Sequence, residues 1–462
     1  MRCEPGKQPV QPLVRRHEDV RRVLCNEAEN VMVHLGRSAN GKQESMRLRP
    51  RSSSRHEQPH GHTSLTILIS AALLTATARS QPALSGGYLG SLVDNALRVS
   101  LIHLEQSVAE VNDTALYPTY ATPQLAWKLK RSDDWTSGFY PGCLWYAYEI
   151  SGDPRFERWA RQWTASIERE KSNLETHDLG FRFMCSFGNG LRLGKGPAYG
   201  NYREILLSAA TTLAKRYDPA IGCLQSNWDM VKMENSFPVV IDIMMNLEIL
   251  FWASQNGGPS SFADLARRHA ITTCRDFVRP DGGTYHIVRY NKNTGKVVQK
   301  GTLQGAGDET TWSRGHAWAL YGMVVAYRFT KDARFLAVAM RLSDYFLGHL
   351  PEDHVSPWDF QSGIRYRDVS ATCIATSALF EMIDFVENIS LKKHYRQEAE
   401  AMLSSLCGPP YFTAGVNTNC LLDHSVQYLP MNSNVDVPAI FADYYFLEAL
   451  LRYRAHRSTE TR

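Results

Sequence analysis

The stretch Pro238-Val-Val-Ile-Asp242-Ile-Met-Met-Asn246-Leu-Glu-Ile-Leu-Phe-Trp252 decides how this chain is read, because it sets a carboxylate in an otherwise apolar run. The run predicts a helix over 239–255, apolar on every face and therefore interior. An unpaired charge buried there is costly unless the group keeps its proton. Asp242 is thus either a paired structural carboxylate or an acid poised for proton transfer. A second isolated acid, Asp178 in His177-Asp-Leu-Gly-Phe181, tips the reading towards chemistry. It stands between a hydrogen-bonding His and a backbone-relaxing Gly, in a stretch without helical periodicity.

Outward from this run, helical periodicity alternates with Gly- and Pro-containing connections from about residue 86 onward. Eleven helices are expected, at 88–112, 137–151, 154–170, 200–216, 239–255, 260–278, 313–329, 332–349, 369–387, 392–405 and 438–455. Some, such as 313–329 with Ala317, Trp318, Leu320, Tyr321, Met323 and Val324, are apolar over much of their surface and belong inside. Others, such as 260–278 and 332–349, have a polar face and belong outside. Buried helices alternating with amphipathic ones predict two concentric layers, an α/α toroid whose inner helix ends and long loops line a central cleft. The alternative is an open helical repeat array used as a protein-binding scaffold. With no linker after residue 90, one domain over 86–456 is expected.

The net charge of +4 belongs to the wrong part of the molecule for a nucleic-acid binder. Residues 1–78 carry 12 Lys and Arg against 7 acids, leaving 39 against 40 for the rest. A nearly neutral body argues against broad nucleic-acid or membrane-surface binding, and leaves room for a local cationic pocket. Residues 1–78 read as an N-terminal extension, in which the apolar run 65–78 ends in Ala76-Thr-Ala78 and follows Arg47, Arg49, Arg51 and Arg55. This is the pattern of a signal peptide with Met46 as the start, so a secreted protein is expected, against the alternative of a buried helix. The body keeps seven cysteines without CxxC spacing. They read mostly as buried apolar residues, with one or two bridges expected.

The connections are rich in aromatic and polar residues together, as in Asp133-Asp-Trp-Thr-Ser-Gly-Phe-Tyr-Pro141, Gly283-Thr-Tyr-His286 and Pro357-Trp-Asp-Phe360. Such loops suit carbohydrate, with aromatic faces stacking on sugar rings and fixed polar groups taking hydroxyls. No Gly-x-Ser-x-Gly elbow or HExxH occurs, and Gly188-Asn-Gly-Leu-Arg-Leu-Gly194 misses the dinucleotide spacing.

Trp135-Thr-Ser-Gly-Phe-Tyr-Pro-Gly142, His177-Asp-Leu-Gly-Phe181, Val240-Ile-Asp-Ile-Met-Met-Asn-Leu247, Thr311-Trp-Ser-Arg-Gly-His-Ala-Trp318, Pro357-Trp-Asp-Phe360 and Arg367-Asp-Val-Ser-Ala371 occur in this order. Together they resemble glycoside hydrolase family 88, the unsaturated glucuronyl hydrolases, and the likeness extends over roughly residues 90–455. The resemblance implies an all-α, (α/α)6 six-hairpin barrel and an enzyme that works without metal or other cofactor. Its partners would be oligosaccharides with a 4,5-unsaturated uronic acid at the non-reducing end, left by polysaccharide lyases. Asp242 would correspond to the general acid and base and Asp178 to its essential neighbour. Trp135, His286, Gln304, Trp312, Arg314 and Trp318 would correspond to substrate contacts. The chain departs from the family at Ile243, where Asn is common, at His316, where Gln is common, and at Asp308-Glu-Thr310.

The chemistry explains these residue types. The unsaturated sugar is an enol ether, so a proton delivered to C4 makes an oxocarbenium ion at C5. The same carboxylate then accepts a proton from the incoming water, unlike the usual pair of acids. To act near neutral pH, Asp242 is expected to hold its proton more tightly than a free Asp. Arg314 is read as a fork for a substrate carboxylate or sulfate, or as the partner of an internal acid. His286 could instead be a satisfied surface His, and Trp135, Trp312 and Trp318 could be core. Asp133, Asp134 and Asp359 read as loop or cap residues. Arg289, Lys292, Lys296 and Lys300 in 288–300 either meet sulfate or form a solvated hairpin set, the second being favoured. An unsaturated rhamnogalacturonyl hydrolase and a non-catalytic sugar-binding protein are the rival functions. A monomer is expected.

Overall fold

The computed structural model describes residues 86–460, apart from 230–232 and 417. The extension 1–78, its segment 65–78 and Met46 lie outside the described residues. Twelve helices are laid out within the described residues, one more than the periodicity predicts. They are α1 (Gly86–Val111), α2 (Phe139–Ser151), α3 (Pro154–Ile167), α4, α5 (Tyr202–Ala214), α6, α7 (Ser261–Asp276), α8 (Ser313–Thr330), α9 (Ala333–Gly348), α10 (Val369–Met382), α11 (Ile389–Leu406) and α12 (Ile440–Glu460). Helix α4 is composite, made of Leu179–Phe183, a π-helical turn Met184–Gly188 and Asn189–Leu193. Helix α6 joins Ile243–Asn246 to Glu248–Gln255.

Odd-numbered helices are outer and even-numbered ones inner. All of α10 is buried, as is α8 from Ser313 to Ala326, because no face of either carries a polar stripe. The outer helices α3, α9 and α11 are amphipathic and start on side-chain caps, Asp153, Asp332 and Asn388, which accept the main-chain N–H of Arg155, Arg334 and Leu391 within the first turn. Around the inner ring α2 packs on α12, α12 on α10, α10 on α8, α8 on α6, and α4 lies between α6 and α2. The ring therefore closes as an (α/α)6 barrel. All six inner helices run the same way, so six N-termini surround one end of the axis.

Nine short strands form four small antiparallel sheets in the connections: β1 (Tyr117–Ala121) with β2 (Trp127–Lys130), β3 (Tyr217–Asp218) with β4 (Cys223–Leu224), β5 (Ser236–Val240) with β6 (Ile287–Asn291) and β7 (Val297–Gly301), and β8 (Ser425–Tyr428) with β9 (Ser433–Val437). Strand β5 corrects the predicted helix at 239–255. Val239 and Val240 are β-branched and pair with Val288 and Ile287, and Pro238 is tolerated because β5 is an edge strand. The chain turns at Ile241 and Asp242 before α6 begins, so Asp242 lies at a strand-to-helix junction rather than inside a helix.

All seven cysteines of the body are free thiols, which overturns the expected bridges; six are buried and behave as small apolar residues. The hairpin 288–300 exists as β6–β7, and Lys292 and Lys296 are exposed on it, but Arg289 is buried and belongs to an ion pair. Among the described residues no helix is long and apolar enough to cross a membrane.

Candidate active site

A cavity of about 540 Å³ opens at the N-terminal ends of the inner helices, and Asp178 and Asp242 both line it. Asp242 owes its position to strand pairing. Beyond the last β5–β6 pair, Ile241 N–H donates to the His286 carbonyl at 2.9 Å, which draws His286 beside the turn. His286 Nδ1 faces the main-chain N–H groups of Leu303 (3.2 Å) and Gln304 (3.3 Å), which can only donate. The ring proton therefore sits on Nε2, 3.5 Å from Asp242 Oδ2. Burial pushes the Asp242 carboxyl up. The His286 contact, the nearby imidazoles of His286 and His177 and a main-chain N–H outweigh it, holding the group below the usual carboxylate range. This corrects the expectation that Asp242 holds its proton more tightly than a free Asp. The sequence showed its apolar neighbours but not the His that strand pairing brings.

Asp178 is reached from the same segment. Asn246, one helical turn beyond Asp242 and fully buried, donates from Nδ2 to Asp178 Oδ1 at 3.3 Å and accepts the Phe181 N–H at 2.9 Å. So close an approach needs a glycine: a Cβ on Gly180 would lie 2.4 Å from Asn246 Cα. His177 Nε2 lies 3.5 Å from Asp178 Oδ1. The two carboxylates thus belong to one polar network in one cavity, although the chain separates them by the whole of α4 and α5.

The aromatic wall comes from Trp135, half-buried and packed edge-on against Phe139 and Phe181, and from Trp312, whose ring lies 4.4 Å from that of His286. Arg314 stacks over Trp312 at 4.6 Å and over Phe441 at 5.4 Å. Its fork is engaged inside the protein, to Asp368 at 2.6 Å and to the carbonyls of Val426 and Gln427. Gln304 Nε2 donates to the same Gln427 carbonyl at 2.5 Å. Asp359, fully buried, accepts from Ala306 N–H and Thr310 Oγ1 and so pins the loop that carries Gln304 and Trp312. Among the described residues no group of three or more His, Cys, Asp or Glu side chains is placed to hold a metal ion.

The model of Glycosyl Hydrolase Family 88 matches residues 106–411. The chain belongs to that family. The unsaturated glucuronyl hydrolase of Formosa agariphila is 40% identical, over 70% of this chain and 80% of its own length. The unsaturated chondroitin disaccharide hydrolase of Streptococcus pyogenes serotype M1 is 34% identical, over 73% of this chain and 85% of its own. The crystal structure of an unsaturated glucuronyl hydrolase specific for heparin superposes with a TM-score of 0.75 at 35% identity, covering 80% of this chain and 98% of that one. This family 88 chain is a glycoside hydrolase of the unsaturated glucuronyl hydrolase type.

Of the residues expected from the sequence, Asp178, Asp242, Trp135, Gln304, Trp312 and Arg314 line the cavity of this family 88 enzyme. His286 is not among the lining residues and stands behind Asp242, its imidazole almost wholly buried. Trp318 is a core residue, fully buried one helical turn beyond Arg314 and backing Phe181 at 4.9 Å. Helical spacing carries it past the cavity wall. Arg314 has the internal acid as its partner, Asp368. His316 is buried and neutral, lowered to about 4 by burial, with Nε2 on the Leu342 carbonyl. Ile243 is core, so the polar partners of Asp242 come from elsewhere. The sequence missed Asn227, Trp228, Arg182, Tyr120 and Tyr428, all of which line the cavity. Only the pairing of aromatic with amide in Asn227-Trp228 hinted at them.

Proposed function

We propose that Asp242 is the proton donor and acceptor of a vinyl-ether hydration, with Asp178 as its essential partner, on 4,5-unsaturated uronyl oligosaccharides. The observation that carries this is the meeting of Asp242 and Asp178 in one aromatic-walled cavity ringed by six helix N-termini, whose partial positive charge suits an anionic sugar. Before substrate arrives, the His286 contact favours the carboxylate form of Asp242. Arrival of the substrate carboxylate beside Asp178 and Asp242 raises its proton affinity, and Asp242 enters the reaction protonated. The proton passes to C4, the C4=C5 pair becomes the new C–H bond, and positive charge develops at C5 and the ring oxygen. Water adds at C5 while its proton returns to Asp242, and the hemiketal opens to release the neighbouring sugar. His286, with its proton fixed on Nε2, faces the carboxylate oxygen that this cycle charges and discharges.

The test is incubation of purified protein with lyase-generated chondroitin, hyaluronan, heparin, gellan and ulvan fragments, following the ultraviolet absorbance of the conjugated double bond. The absorbance is expected to fall on at least one of them. A constant signal on all would favour the sugar-binding alternative. Export, supported by the apolar run 65–78, is carried as a further proposal for cell fractionation to test, and a monomer as one for size-exclusion chromatography.

A further inference from the structure

The segment 226–229 belongs to none of the motifs above, yet Asn227 and Trp228 both line the cavity. The orientation of the Asn227 carboxamide follows from a group without choice. The main-chain N–H of His177 can only donate, and it lies 3.1 Å from the atom that must therefore be Oδ1. The same oxygen is in short contact with His177 Nδ1. With its oxygen engaged twice, Asn227 has its amide Nδ2, two N–H donors, without a partner among the described residues and so open to a ligand, and the residue is solvent-exposed. Every oxygen of a uronyl saccharide can accept from it.

The segment is held from outside the cavity. Ser226 N–H donates to the Pro238 carbonyl at 2.8 Å, and Ser226 Oγ meets both the carbonyl and the N–H of Trp228 at 3.0 Å. Beyond Trp228, Asp229 takes a fork from Arg289, with Nη2 to Oδ1 at 2.6 Å and Nε to Oδ2 at 3.1 Å. Arg289 is 3% exposed and gives a further bond to Gln299 Oε1 at 3.1 Å. It lies on β6, three residues after His286. The strand that backs Asp242 thus also anchors the segment whose Asn227 orients His177 beside Asp178. A Lys at 289 would keep the charge and lose the fork.

We propose that Asn227 is a substrate-contacting residue, donating through Nδ2 to an oxygen of the bound uronyl saccharide, and that the buried Arg289–Asp229 pair is the positioning element that holds it there. This rests on the cavity being the saccharide site. The test compares wild type, Asn227→Ala, Arg289→Lys and the double variant in steady-state turnover of an unsaturated uronyl disaccharide, with circular dichroism to measure folding. Asn227→Ala is expected to raise KM about tenfold, the worth of one hydrogen bond, with kcat within about threefold. Arg289→Lys is expected to raise KM similarly while remaining folded. Because it acts through Asn227, the double variant should be within about twofold of Asn227→Ala. Should Arg289→Lys fail to fold, Asp229→Asn breaks the charge pair from the other side and should show the same KM signature. An unchanged KM in Asn227→Ala, or multiplied effects in the double variant, would overturn the proposal. Turnover by the wild type is the separate control on the functional reading, and its absence would sink both.

Discussion

The two ends of the inner-helix ring hold cavities of comparable size, about 540 Å³ and about 380 Å³, but resolve their charges in opposite ways. At the N-terminal end, Asp178 precedes α4 and Asp242 precedes α6, with carboxylate oxygens held at 3.5 Å from imidazoles rather than in ion pairs with Arg or Lys. At the C-terminal end, Arg192, Arg328 and Arg452 lie towards the last turns of α4, α8 and α12. There Arg452 binds Glu381 at 2.7 Å and Glu448 at 3.4 Å, while Tyr321 and Ser377 donate to Glu448 as well. Both ends carry both signs, since Arg182 and Arg314 line the first cavity and Glu149, Glu248 and Glu448 line the second, and the helix dipoles favour the acids at the N-termini and the cations at the C-termini. The lesson is that one end keeps charge available for a ligand, whereas the other consumes it in cohesion.

The largest expected effect belongs to the N-terminal end. Asp242→Asn should lower kcat by about a thousandfold or more while leaving Tm nearly unchanged, read by turnover and calorimetry. A marked loss of stability with activity retained would break the contrast. Next comes the pH profile. Resting Asp242 is ionised and the reacting form carries one more proton, so kcat/KM should fall about tenfold per pH unit as pH rises from about 5 to about 7. By contrast, kcat reports the complex and should decline only at higher pH. A flat kcat/KM over that window would mean that Asp242 is not the group delivering the proton.

The C-terminal end should respond in the reverse sense. Arg452→Met takes one ion pair from each of Glu381 and Glu448, leaving Glu381 its contact with Arg328 and Glu448 only hydroxyl donors, and should cost about 3 kcal/mol in urea unfolding, with unchanged activity per folded molecule. Unchanged stability there would remove the cohesive role. The smallest effect concerns a buried group of neither end. His316, lowered to about 4 from 6.5, binds fewer protons folded than unfolded, so its contribution is full above pH 6.5 and is lost as pH falls towards 4. His316→Gln should reduce the loss of stability between about pH 7 and about pH 5 by about 2 kcal/mol, measured by urea unfolding at both.

Ten of the expected helices match observed ones to within a few residues, because their polar and apolar faces or their uniform apolarity are local properties. Helix α4 was not legible. Its helical pieces are five residues long, glycines interrupt them at 180, 188 and 190, and the π-turn shifts the period by one residue. The β5 segment failed for a different reason. A run apolar at every position has no period, so Val239 and Val240 read as helix until β6 paired with them. Trp312 and Trp318 were alike in sequence, and only depth separated a cavity wall from core.

The sequence by itself determined the alternation of inner and outer helices, the two isolated acids and the family motifs, since patterning and side-chain chemistry are written residue by residue. Tertiary structure alone decided which proton acceptor lies beside which donor. The imidazole facing Asp242 comes from the residue just before β6, 44 positions away in the chain, and the amide on Asp178 comes from the first turn of α6. Proton affinity depends on neighbours within a few ångström, and chain order does not fix those until the ring closes.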